Sequence, residues 1–283
     1  TNEKTACELN SLLASLLDED QIFRVDHYLG KNTIRALMRI HENAEDFSLL
    51  LSKESVASIR IGLFEEKGID GRGATYDQVG AFRDVGQNHM LEMLAVLAAE
   101  LPLGATGAEW QSARAEILKR LEPPAKTCEN SRRGQYEGYE SEKGVKPDSE
   151  TETAFEVVTS FRSGKLKGVP LSLEAGKKMG VSTVFIEVLF KEMSGLPKKM
   201  MFTVQPEQEI LIENRDGSVD AYDVPSSEDA YENVISGAVA GSEAGFVGAE
   251  EIKALWSYTD HVVGCWGKVP LEEYGSKKPF LIK

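Results

Sequence analysis

The sequence predicts an α+β fold: a large, mainly antiparallel sheet with helices packed on one face. Three observations carry this. Apolar residues recur with helical spacing through the first half, apolar and polar residues alternate between Phe155 and Glu213, and helical spacing returns near the C-terminus. Helices clustered before strands are the signature of helices covering one face of a sheet.

The elements follow in order. Leu9, Leu12, Leu13, Leu16 and Leu17 mark one face of an amphipathic helix over Cys7–Leu17. Gly30 and Lys31 precede a second helical pattern carrying Ile34, Leu37 and Met38. Ile59, Ile61 and Leu63 alternate with Arg60 and Gly62 as a half-buried strand does, and EEKGIDGRG then reads as an exposed, glycine-shaped loop. A long helix is expected from about Tyr76 to Glu100, stopped by Pro102, and another from about Ala108 to Leu121, stopped by Pro123 and Pro124. Strands are expected around Phe155–Phe161, Val169–Leu173, Val184–Phe190, Met200–Val204 and Glu209–Glu213, and ALWSYTDHVVGCW reads as a helix.

Composition bounds the function. With 283 residues, 41% of them apolar, the chain can bury one sizeable core or two modest ones. Its formal charge of −14 repels a polyanion and its basic residues form no long stripe, so no nucleic acid is expected as a partner. No run approaches the roughly 18 apolar residues of a membrane span, so no membrane partner is expected. TNEKTACELN lacks the basic and apolar regions of a signal peptide, which makes the cytoplasm the expected address. Cys7, Cys128 and Cys265 are odd in number and far apart, so reduced structural thiols are expected, with neither a disulfide framework nor a metal site.

Two segments concentrate chemistry. RVDHYLGK places Asp26, His27, Tyr28 and Lys31 just before a helix, where backbone N–H groups and the helix dipole favour an anion such as a phosphate. Taken alone, the same residues read as a turn aspartate, a core tyrosine and a solvated lysine. YDQVGAFRDVGQNHML sets Asp84 and Asn88 one turn apart on a shared helical face with His89 obliquely beside them. A histidine on a mostly apolar helix is ordinarily a satisfied core residue, but here Arg83, Asp84, Gln87 and Asn88 accompany it, and buried polar groups need partners. Histidine beside carboxylate in both segments suggests a general base oriented by an acid. His41 reads as exposed and His261 as packed near Trp256 and Trp266, and neither is given a role. Lys177 and Lys178, in GKK at a strand end, read by themselves as solvated charges.

RVDHYLGK, GRGATYDQVGAFRDVGQNHMLEML, RGQYEGY, TETAF and GVPLSLEAGKK occur in the order found in glucose-6-phosphate dehydrogenases, and from about Asp20 to the C-terminus the chain resembles that family. The resemblance implies that His89 is the general base taking a proton from the C1 hydroxyl of the sugar, with Asp26 orienting it. It implies phosphate contacts from His27, Tyr28 and Lys31, sugar-hydroxyl contacts from Glu65 and Asp84, and a strand-end role for Lys177. The implied substrate is glucose 6-phosphate, the implied hydride acceptor is NADP, and the implied assembly is a homodimer through the large sheet.

The departures from the family pattern also carry expectations. Ser182 and Glu174 stand where basic residues are usual, which predicts weaker substrate binding unless Lys178 compensates, and Phe185 and Glu187 argue against a second dinucleotide site. No GxGxxG or GxxGDL pattern appears, so the NADP-binding domain is expected to be supplied elsewhere. On this reading residues 1–25 are the tail of that domain and residues 26–283 the C-terminal α+β domain. The alternative is a non-catalytic sugar-phosphate-binding or subunit-association module.

Overall fold

The computed structural model describes residues 2–43, 45–125, 128–193, 195–225, 229–275 and 280. Its strands are β1 (Val56–Phe64), β2 (Ser131–Tyr136), β3 (Ala154–Thr159), β4 (Leu171–Gly176), β5 (Thr183–Phe190), β6 (Lys199–Gln205), β7 (Glu209–Glu213), β8 (Val219–Tyr222) and β9 (Leu271–Tyr274). They form one sheet in the order β8-β7-β6-β5-β1-β4-β3-β2-β9. Neighbours run antiparallel except β1 beside β4 and β2 beside β9. The helices are α1 (Glu3–Ala14), α2 (Asn32–Asn43), α3 (Glu45–Leu50), α4 (Gly73–Tyr76), α5 (Leu91–Ala98), α6 (Gly107–Lys119), α7 (Ala230–Val239) and α8 (Ala249–Cys265), with a π-helix over Phe82–Met90 leading into α5. The α+β architecture expected from the sequence is the one observed.

Alternation decides which face is covered. Ile59, Ile61 and Leu63 on β1, Leu171 and Leu173 on β4, and Ile186 and Val188 on β5 are all buried. Each contributes about 1.5–3 kcal/mol on leaving water. The π-helix packs on β1 and β4, and α2 packs on β6. Behind them α5 is buried at every position, which is why LEMLAVLA is apolar everywhere but at Glu92. Helices α6 and α8 are joined by Arg114, whose Nε lies 2.5 Å from Glu251 Oε1 with both side chains fully buried. Desolvation, then the nearby Glu251 charge, holds the adjacent Glu92 carboxyl well above the usual carboxylate range. The opposite sheet face carries charge: Arg60 pairs with Glu174, Arg132 with Glu156 and Glu272, and Lys199 with Glu187 and Glu213.

The structure corrects several expectations. The long helix from Tyr76 is divided, because Gly80 adopts φ +77° and breaks the path between α4 and the π-helix. Helix α1 exists, but its leucine stripe has no core beneath it: Leu9, Leu12 and Leu16 are exposed. The EEKGIDGRG loop is exposed in part only, since Ile69 is fully buried with Tyr76, Tyr136, Tyr139 and Tyr274. His41 is buried between Phe47 and Trp110, bonded through Nε2 to the Leu97 carbonyl, because the last turn of α2 faces the core. His261 is exposed and bonds back to Ser257 O on its own helix. Cys128 and Cys265 are joined in a disulfide across 137 residues of sequence, while Cys7 is free. Spacing along the chain could not reveal that pair, since the fold alone brings its two ends together.

Candidate functional site

The parallel pairing of β1 with β4 builds one wall. Phe64 lies opposite Gly176, so the two strands leave the sheet at the same edge, and the Glu65 N–H donates to the Gly176 carbonyl at 2.9 Å. Ligand sites favour the carboxyl ends of parallel strands. Lys177, the next residue of β4's chain, is 2% exposed; its Nζ lies 2.5 Å from Glu65 Oε2 and 3.1 Å from Asp84 Oδ2. The lysine read from sequence as a strand-end charge is therefore buried between two carboxylates, with the Tyr76 ring 5.4 Å from its nitrogen.

The π-helix builds the second wall. Asp84 and His89, five residues apart, would lie about 140° apart around an α-helix. The wider turns of i→i+5 hydrogen bonding bring them nearer each other, and both line the same cavity. Asn88, expected on the face of Asp84, instead donates to the Asp84 carbonyl and accepts from the His89 N–H.

The third wall is the turn before α2. Asp26 is 5% exposed, and its Oδ1 accepts from the Tyr28 N–H at 2.9 Å and lies 2.7 Å from His89 Nδ1. An ionised carboxylate can only accept, so Nδ1 carries the proton and Nε2 is left as the acceptor. The His89 ring is stacked on Tyr28 at 4.2 Å and meets His27 edge-on at 4.6 Å. Desolvation, followed by the neighbouring His89, lowers the His27 pKa below its ordinary value. Burial raises the Tyr28 phenol, which stays protonated and lies 3.2 Å from Gln205 Oε1. Lys31 reaches over the Tyr28 ring, its Nζ 5.8 Å from the centroid. Gly30 is required here because a Cβ would strike the Ala230 carbonyl at the start of α7.

These walls enclose a cavity of about 460 Å³ bordered by His27, Tyr28, Glu65, Asp84 and His89. Gln205, Arg72 and Ser182 also line it and were not singled out from the sequence as lining residues. No pattern marked them; Gln205 arrives at the end of β6, and Ser182 accepts from the Glu66 N–H at 3.2 Å. Glu174, in place of a basic residue, is held by Arg60 at 2.6 Å. Lys178 lies 3.6 Å from Glu142 and against Tyr136 rather than on the cavity. The cavity thus offers an acceptor nitrogen backed by a carboxylate, two further carboxylates able to accept hydrogen bonds from hydroxyls, and the His27 imidazole, while Lys31, beside the Tyr28 ring, does not itself line it. The donor atoms of Asp26, His27 and His89 lie within 4.8 Å of one another, near enough for one cation, but binding it there would displace the Asp26–His89 hydrogen bond.

The family model described as glucose-6-phosphate dehydrogenase, C-terminal domain, matches residues 38–280, and that of the NAD binding domain matches residues 1–36. Glucose-6-phosphate 1-dehydrogenase of Streptococcus pneumoniae is 29% identical over 99% of this chain and 64% of its own length. That of Helicobacter pylori is 28% identical over 92% of this chain and 60% of its own. The crystal structure of the Mycobacterium avium enzyme superposes with a TM-score of 0.82 at 30% identity, covering 97% of this chain and 64% of that one. A glucose-6-phosphate dehydrogenase in complex with its substrate shares the fold, with a TM-score of 0.85 at 24% identity over 100% of this chain and 67% of that one. The chain spans less than two thirds of the length of these two curated relatives. With its sheet, its order of motifs and 243 consecutive residues matched, it belongs to the glucose-6-phosphate dehydrogenase C-terminal domain family.

Proposed function

We propose that this chain carries the substrate half of a glucose-6-phosphate dehydrogenase, which oxidises glucose 6-phosphate at C1 to 6-phosphogluconolactone. The observation that carries the reading is the 2.7 Å Asp26–His89 contact on a cavity that Glu65 and Asp84 also line. His89 Nε2 takes the proton of the C1 hydroxyl, and Asp26 fixes the tautomer and stabilises the imidazolium that forms. Glu65 and Asp84 accept from ring hydroxyls, with Lys177 between them holding both carboxylates in place. The phosphate is received by His27, Tyr28 and Lys31. Because His27 binds its proton weakly in the free protein, a dianionic phosphate beside it draws one in.

NADP, when bound, supplies the hydride acceptor at C1. The sequence holds no GxGxxG or GxxGDL turn, so the cofactor is assigned to a nucleotide-binding domain supplied elsewhere. The match of residues 1–36 to the NAD binding domain and the exposed leucines of α1 support assigning the first 25 residues to that domain, with residues 26–283 as the catalytic unit. We assign a homodimer through the open sheet face, supported by its half-buried charged rows, and a cytoplasmic address. The latter is supported by an Arabidopsis thaliana relative, 29% identical, that is named cytoplasmic. Among the described residues no helix is long and apolar enough to cross a membrane.

Calorimetry with glucose 6-phosphate tests the reading. Binding is expected, with net proton uptake near neutral pH, and is expected to be lost in His27→Ala and Lys31→Ala. In a protein carrying both domains, His89→Asn should lower kcat by about 10²–10⁴-fold while leaving the substrate Kd within a few-fold. Absence of binding at millimolar ligand would remove the substrate assignment, and full turnover by His89→Asn would remove the base.

A further inference from the structure

We propose that Glu152 is a positioning residue for this site, anchoring the start of the π-helix so that Asp84 and His89 face the cavity. The proposal rests on the sugar-phosphate reading above for its effect on binding, but not for its effect on geometry.

Glu152 lies in TETAF and touches nothing in the cavity. Its side chain is buried, and Oε1 accepts from the Phe82 N–H at 3.1 Å, at the first residue of the π-helix. Its backbone carbonyl accepts from the Ala81 N–H at 3.0 Å and from the Tyr76 hydroxyl at 3.3 Å. The N–H groups at a helix start have no partner within the helix, and a carboxylate there complements the dipole. Gly80 completes the seat, since a Cβ on it would collide with the Glu152 carboxyl.

The residues on either side of Glu152 reach the other wall. Thr151 Oγ1 donates to the Asp77 carbonyl at 2.5 Å, just ahead of the π-helix. Thr153 accepts through Oγ1 from the Tyr136 N–H at 2.9 Å, and through its carbonyl from the Lys177 N–H at 3.0 Å. Three consecutive residues therefore tie the helix bearing Asp84 and His89 to the strand end bearing Lys177. The Nζ of that lysine must meet Asp84 across the gap. A neutral amide would satisfy the Phe82 N–H with less desolvation. Burial pushes the Glu152 carboxyl up to about 7, opposed by the Phe82 N–H and by the charges of Arg83 on the π-helix and Arg133 on β2, with the Tyr76 phenol on the α4 side.

The experiment compares Glu152→Ala and Glu152→Gln with the wild-type chain by nitrogen-15 NMR and by glucose 6-phosphate calorimetry. In Glu152→Ala the His89 Nδ1–H resonance is expected to move or broaden away and the Kd to weaken about tenfold. Glu152→Gln, which keeps an acceptor oxygen, is expected to restore both. A Glu152→Ala chain that folds with its His89 resonance and Kd unchanged overturns the proposal. Should Glu152→Ala fail to fold, the isosteric variant decides. The Phe82 and Asp84 amide resonances of the wild type are expected to show an inflection near pH 7 that Glu152→Gln lacks, and the same inflection in both overturns the proposal. A wild type that binds no glucose 6-phosphate would remove the functional reading while the NMR comparison still ruled on Glu152.

Discussion

At the residue scale, two buried titrating groups pull stability in opposite directions. Burial drops the His41 pKa to about 4, so between that value and its ordinary 6.5 the unfolded chain holds a proton that the folded chain does not, and stability rises with pH. Burial raises the Glu152 pKa to about 7, so from its ordinary 4.5 upward the folded chain holds the extra proton, and stability falls with pH. Each slope is roughly 1.4 kcal/mol per pH unit, and they cancel between about pH 4.5 and 6.5. Urea titrations should therefore show Glu152→Gln growing more stable relative to wild type as pH rises through that window, and His41→Gln growing less so. Parallel curves for all three proteins would refute the assignment. Neither group was legible as such in the sequence. Asp26, His27 and His89 announced themselves by their neighbours, whereas the burial of His41 depends on Phe47 and Trp110, which reach it from other elements.

At the element scale, periodicity revealed what packing rewards and missed what sits at an edge. Strands β1, β4, β5 and β6 were legible because one face of each is buried, although only β6 alternates cleanly and β4 and β5 bury residues of the other face as well. Strand β8 is exposed at every position and β2 carries Arg132 and Arg133, so neither shows the pattern. The helix expected from Tyr76 had the right apolar residues, but a π-turn and an α-turn place similar residues inward, and only Gly80 hinted at the break. The disulfide between the loop before β2 and the end of α8 closes 137 residues. On a chain-entropy basis such a loop is worth about 5 kcal/mol. Denaturant melts of Cys265→Ser, or of wild type in reductant, should show a loss up to that size with the α-helical signal retained. An unchanged midpoint would mean that the bond contributes nothing to folding.

At the scale of the whole molecule, the charged sheet face is a surface of paired ions. Its ion pairs are partly exposed, and pairs of that kind contribute about 0.2–1 kcal/mol each. They organise the surface more than they stabilise it. Between them lie Val158 and Leu189, both more than a third exposed. If two copies meet on this face, Leu189→Glu should weaken dimerisation about tenfold or more in sedimentation velocity, with the melting temperature of the subunit little changed. Dimers of undiminished strength would move the interface elsewhere.

Two strands running the same way in a sheet of otherwise mostly opposed neighbours have a consequence for how such a protein can change. Glu65 and Lys177 stand side by side although 112 residues of chain separate them. Because both leave adjacent strands in one direction, a loop in the segment between them that touches neither, such as the one joining α5 to α6, can lengthen or shorten without shifting either. The charge pair is thus insulated from the length of such loops, though not from the strands and the π-helix that hold it.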